Sequence, residues 1–176
     1  EVRREDPLLI YAEAYDTLIV DGLAFKNELP KVPQIDPKKN IKAYVDRKLF
    51  IHNLGHSAVA YMAYVTDTNI KYIWKAMENE EIRSVAKEAM WESALSLIRE
   101  YPQEFDEENQ RQHIDDLLHR FSNKYLGDSV YRVGRDIQRK IGRDERIIGA
   151  ILLDLKHNVE PMATTKVLAA ALLFRA

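Results

Sequence analysis

Hydrophobic positions along the chain change period once. From Leu8 to Val20 the residues Leu, Ile, Tyr, Ala, Thr and Val crowd together, ending at Asp21-Gly22, which predicts one or two strands. Residues 27 to 40 carry Pro30, Pro33 and Pro37 among polar neighbours, which predicts a loop. Beyond that point the pattern is helical. Asp36 or Asn40 would cap a helix running to about Tyr64, and Asp67 or Thr68 a second to about Met77. Ile82, Val85, Ala89, Leu95 and Ile98 recur near the helical period across about 79 to 99, until Pro102. Ile114, Leu117, Leu118 and Phe121 mark a helix over about 107 to 124. Residues 128 to 142 read as helical pieces, 144 to 157 as a helix, and Pro161 opens a last one through Phe174. The expected fold is mainly α, a multi-helix domain with a short β segment at its N-terminal edge. Its organisation would be a β segment (1–26), a Pro-rich loop (27–40) and a helical domain (41–176).

Composition narrows the classes. The 176 residues suit one domain with a real core. Net charge is −2, which argues against a generic nucleic-acid or anionic-membrane binder. There is no cysteine, so disulfides and thiolate metal sites are excluded and a reducing cytoplasm is the expected setting. No apolar run is long enough to span a membrane. The six glycines make no Gly-x-Gly-x-x-Gly and no phosphate loop, so no nucleotide site is expected in this chain. The chain opens on Glu1, which reads as a trimmed or partial sequence. Trp74 and Trp91 are expected as core anchors.

Chemistry concentrates in Lys48-Leu-Phe-Ile-His52-Asn53-Leu-Gly-His56. At about 100° per residue, Lys48, His52, His56 and Asn53 fall at roughly 0°, 40°, 80° and 140°, on one side of a helix. Such a group suits alcohol oxidation and carbonyl reduction. A lysine can move the hydroxyl proton once desolvation weakens its hold on it, and an asparagine amide can donate to the developing alkoxide. A histidine can hold a neighbouring hydroxyl. The hydride must come from a cofactor, because no side chain supplies one. A solvated or core-rim helix face is the plain alternative. A zinc helix is another: His52 and His56 stand four apart, with His113 and His119 as further ligands. However, Asn53 occupies the place where His-Glu-x-x-His has its glutamate.

Between Tyr131 and Arg146 stand six basic residues and three acidic ones. If the segment is one helix, Arg132, Arg135, Arg139 and Arg143 form a single stripe. Arginine forks suit phosphate, although an ion-paired surface face is the bland reading of such a stripe. Nothing supports nucleic acid, since the rest of the chain is acidic and lacks interleaved aromatics.

The run Arg47 to Tyr61 resembles the catalytic signature of the polyol-specific long-chain dehydrogenases. Arg120-Phe-Ser-Asn-Lys-Tyr-Leu-Gly-Asp128, Val130 to Gly142, Asp144 to Ile148 and the closing Ala169 to Arg175 agree with that family's C-terminal domain in order and spacing. The resemblance implies a helical domain like the C-terminal one of 6-phosphogluconate dehydrogenase. It implies Lys48 as general acid/base, Asn53 polarising the reacting oxygen and His56 orienting substrate. Arg132, Arg135 and Arg139 become candidates for substrate phosphate. It further implies NAD, bound mainly by an N-terminal Rossmann domain of the same polypeptide, and interconversion of mannitol 1-phosphate and fructose 6-phosphate. Alone, this chain should neither bind NAD nor turn over. The alternatives are a relative acting on unphosphorylated polyols or hexuronates, and a non-catalytic helical binding module.

Overall fold

The computed structural model describes residues 16–29 and 31–175. Most of the first strand expectation, residues 8 to 15, lies outside them. Two short strands, β1 (Leu18–Asp21) and β2 (Ile35–Lys38), pair in parallel, with Leu18 opposite Ile35 and Asp21 opposite Lys38. β2 falls inside the segment that its prolines suggested as a loop. Pro37 is tolerated because an edge strand can dispense with a donor on its open side. The ladder is closed from β1, where the Leu18 and Gly22 amides donate to the Gln34 and Lys38 carbonyls at 2.7 and 2.9 Å.

The remainder is helical. α1 (Ile41–Arg47) passes through a π-helical segment (Lys48–Asn53) into α2 (Leu54–Thr66). α3 (Ile73–Ala76), α4 (Glu80–Glu100) and α5 (Glu107–Phe121) follow. A short 3₁₀ turn (Lys124–Leu126) leads to α6 (Val130–Gly134), α7 (Ile137–Lys140), α8 (Ile148–Lys156) and α9 (Met162–Leu173). None of the described helices is long and apolar enough to cross a membrane.

α2 is apolar nearly all round, the signature of a helix buried on every side. Leu54, Ala58, Val59, Ala60, Tyr61 and Ala63 have no exposed surface. α4, α6 and α9 pack around it. At the crossing with α4, a Cβ on Gly55 would come within 2.3 Å of the Met90 sulfur, so the missing side chain permits the close approach. Gly55 immediately precedes His56, and this crossing therefore sets the height of the site on the core.

Caps explain the boundaries. Asn79 and Asp106 accept from the amides of Ile82 and Asn109, starting α4 and α5. Asp67 instead accepts from the Asn69 amide and side chain, making a turn. The helix expected from Asp67 is accordingly reduced to α3. α9, opened by Pro161, is capped by a carboxylate from another helix: Glu92 of α4 accepts from the Ala163 and Thr164 amides at 2.7 and 2.9 Å. Trp91 packs at the edge of the core, whereas Trp74 is half-buried in a cavity wall rather than anchoring the interior.

One buried carboxyl couples this packing to pH. Asp154 of α8 has no exposed surface, accepts from Ser96 Oγ of α4 at 2.6 Å and leaves Oδ2 without a partner among the described residues. Burial pushes its pKa up to about 7, against the Ser96 hydrogen bond and with help from Glu92. The folded state thus holds a proton that the unfolded chain gives up near pH 4. Stability is full below that value and falls as pH rises towards 7. Urea titrations from pH 5 to 8 should show a loss on the order of a few kcal/mol. Asp154→Asn should flatten the decline, and an unchanged slope would remove Asp154 as its source.

Candidate functional site

The Lys48 segment does not continue as an α-helix. It widens into a π-helix from Lys48 to Asn53, with i→i+5 bonding in place of i→i+4. Lys48 and Asn53 are an i, i+5 pair. In an ordinary helix they would diverge by roughly 140°, and the wider turn narrows that divergence. π-turns of this kind cluster at functional sites.

Three cavities follow this helix and share walls. The first, about 370 Å³, is lined by Tyr44, Arg47, Lys48, His52, His113 and Arg120. The second, about 330 Å³, lies between His52, His56, Trp74, Phe121 and Asp128. The third, about 270 Å³, is bounded by His56, Ser57, Arg132, Arg135, Arg139 and Lys140, with Arg146 beside them. His52 is common to the first pair and His56 to the second. Lys48 is exposed at the mouth of the first cavity, and the described residues do not bury it. Asn53 is half-buried at the far end of the π-turn and lines none of these three cavities.

His56 is held on two sides. Its Nε2 stands 3.3 Å from Asp128 Oδ2, and its ring lies parallel to Phe121, 4.9 Å centre to centre. The His56 hydrogen bond holds the Asp128 carboxyl below the usual carboxylate range. His52 also approaches Phe121, at 5.8 Å. In the first cavity His113 has a buried Nε2 with no hydrogen-bond partner among the described residues, and burial pushes its pKa down to about 3. Among those residues no group of three or more His, Asp or Glu is set to hold a metal ion.

The arginines reach the third cavity by a route different from the expected stripe. α6 stops at Gly134 and α7 begins at Ile137, with Asp136 left-handed at φ 61° between them. Gly134 cannot be replaced without collision: a Cβ there would come within 2.5 Å of the Phe174 ring. Its carbonyl accepts from the buried Tyr61 hydroxyl at 2.9 Å. The chain therefore folds back on itself, and Arg132, Arg135 and Arg139 converge from two helices and the turn between them. Arg143, expected in the stripe, is not in the wall. Arg132 pairs with Asp128, and Arg139 with Glu145 at 3.4 Å. Arg135 is exposed and makes no ion pair with any described residue.

Lys140, Ser57, Asp128 and Phe121 were not singled out by the sequence. Lys140 is buried, and its Nζ donates to the Val133 carbonyl at 2.6 Å and to the Arg135 carbonyl. Burial, reinforced by Arg146 and Arg139, pushes its pKa down to about 8. Ser57 Oγ is buried, with no hydrogen-bond partner among the described residues, beside the same cavity. Only the four-residue spacing from Asp128 to Arg132 could have hinted at their pairing.

Residues 40–176 match the family described as the mannitol dehydrogenase C-terminal domain. The chain belongs to that family. The family is one of polyol dehydrogenases, which are oxidoreductases. For the mannitol dehydrogenase C-terminal domain seen here, Lys140 is the brace of the α6–α7 turn. Lys140→Met should leave the Val133 and Arg135 carbonyls without their donor and lower stability by about 1–3 kcal/mol in urea unfolding. An unaltered midpoint would show that the ammonium does not hold the turn.

Proposed function

We propose that this chain is the catalytic and substrate-binding domain of an NAD-dependent mannitol-1-phosphate 5-dehydrogenase, interconverting mannitol 1-phosphate and fructose 6-phosphate. The observation that carries the reading is the π-turn spanning Lys48 to Asn53, on a helix whose next turn, through His56, leads to a cavity with five basic side chains.

In the reducing direction protonated Lys48 delivers a proton to the carbonyl oxygen of the keto sugar. The Asn53 amide donates to the same oxygen as negative charge develops there. His56 holds an adjacent hydroxyl. The phosphate would occupy the third cavity, where Arg135 makes no ion pair with any described residue although Asp136 shares the wall. Lys140 remains mostly charged below about pH 8, so anion binding there should weaken above it.

The described residues contain no glycine-rich turn that would fit a dinucleotide pyrophosphate. What they offer is the open face around Lys48. When bound, the nicotinamide supplies the hydride. We assign its main binding surface to an N-terminal Rossmann domain of the same polypeptide. Two observations support this assignment. The matched family is by name a C-terminal domain. In addition, a parallel sheet is normally large and covered on both faces, whereas β1 and β2 stand alone among the described residues. A Rossmann domain over β1 and α1 would complete the sheet and desolvate Lys48. The absence of cysteine suits a cytoplasmic enzyme.

The test uses the chain joined to its nucleotide-binding domain. NADH-dependent reduction of fructose 6-phosphate is expected, and Lys48→Ala should lower it about 100- to 10,000-fold. Fructose should be a poor substrate, and Arg135→Ala should erase the preference for the phosphate ester. Substantial turnover by the Lys48→Ala enzyme would sink the mechanism. Equal use of fructose, or preference for a hexuronate carboxylate, would move the substrate to the unphosphorylated branch of the family.

A further inference from the structure

We propose that Asp128 is a positioning residue for His56, fixing which ring nitrogen faces the substrate; the proposal rests on the dehydrogenase reading above. Asp128 sits where two chain segments are pinned together. Its carbonyl accepts from the Ile73 amide at 2.9 Å, the Val130 amide donates to Lys71 at 2.9 Å, and Tyr72 bridges Ser129. Ser129 in turn caps α6 by accepting from the Arg132 amide at 3.1 Å. The Asp128 side chain is thus presented from a fixed backbone. Oδ2 meets His56 Nε2 at 3.3 Å, and Oδ1 accepts from the Arg132 guanidinium.

An ionised carboxylate can only accept hydrogen bonds. His56 Nε2 must therefore carry a hydrogen, and in the neutral ring Nδ1 is left bare. Phe121 covers one face of the ring and Asp128 holds its edge, so rotation about the ring bond is blocked. His56 consequently acts on substrate as an acceptor for a hydroxyl hydrogen, while the donors to the reacting oxygen are Lys48 and Asn53. Arg132, engaged by Asp128, steadies this carboxylate as well as bordering the anion cavity.

Two experiments decide it. In the ¹⁵N-labelled chain near neutral pH, the His56 ring should show the Nε2-protonated tautomer with its imidazole proton slow enough in exchange to be seen. That proton signal should vanish in Asp128→Ala. A bare Nε2 in the wild type, or an unchanged signal in Asp128→Ala, overturns the proposal. In the enzyme joined to its nucleotide-binding domain, the near-isosteric Asp128→Asn should lower kcat about 10- to 100-fold, as loss of an outer orienting partner does, with KM little changed. Adding Asp128→Asn to His56→Ala should cost nothing more, because the carboxylate acts through that ring. Losses that multiply overturn the proposal. Should the wild-type enzyme reduce no sugar or sugar phosphate, the functional reading fails, and the ring-nitrogen experiment alone decides the role of Asp128.

Discussion

The organisation of this domain rests on the burial of α2. From Leu54 to Ala63 every residue except His56 is buried against its neighbours. A helix enclosed on all sides can display polar side chains only where it enters the core or where packing leaves a gap. Its entrance is the π-turn, and its gap is the strip beside Phe121 that admits the His56 ring. Gly55 brings α4 close on the opposite side. The same enclosure that stabilises the fold, at roughly 1.5–3 kcal/mol for each large apolar side chain fully buried, therefore dictates where polar chemistry can stand.

Much of the fold was legible. The 3.6-residue period marks α4, α5 and α9, and Asn79 and Asp106 cap α4 and α5. Hydrophobic period says which face is buried, and for these helices that was enough. The exceptions have local causes. Asp67 turns on Asn69 instead of capping, because its side chain finds an amide two residues ahead. Pro37 hides a strand because an edge position makes its missing amide harmless. The polar cluster at Lys48, Asn53 and His56 was visible as spacing, but the spacing was read on an α-helical wheel. The π-helical widening between Lys48 and Asn53 leaves no mark in hydrophobic period. It is set by how α1 and α2 each dock on the core.

The arginine segment shows the opposite relation. Its helical pieces were legible as α6 and α7, but the turn between them was not, and the stripe that one continuous helix would make does not form. A stripe along one helix would present a row of guanidinium groups to solvent, where each is screened and loosely held. The turn at Gly134–Asp136 folds that row into a concave wall. Placing five cations together is costly, and the domain offsets the cost in three ways. Asp128 and Glu145 neutralise part of the charge. Lys140 spends its donors on main-chain carbonyls. Burial lets Lys140 give up its proton more readily than a free lysine. Arg135 stands outside these compensations.

That division explains why counting positive charges says little about anion recognition. Arg132 and Arg139 are already engaged by carboxylates, so an incoming anion must compete for them or bind in their second rank. A dianion brought to Arg135 meets a fork that no described residue engages in an ion pair. The net field of the wall draws the anion in, while the uncommitted donors determine where it rests. His56 lies between that resting place and Lys48. In the proposed reaction that one ring, oriented from behind by Asp128, would set the register between the charged end of the substrate and its reacting carbon.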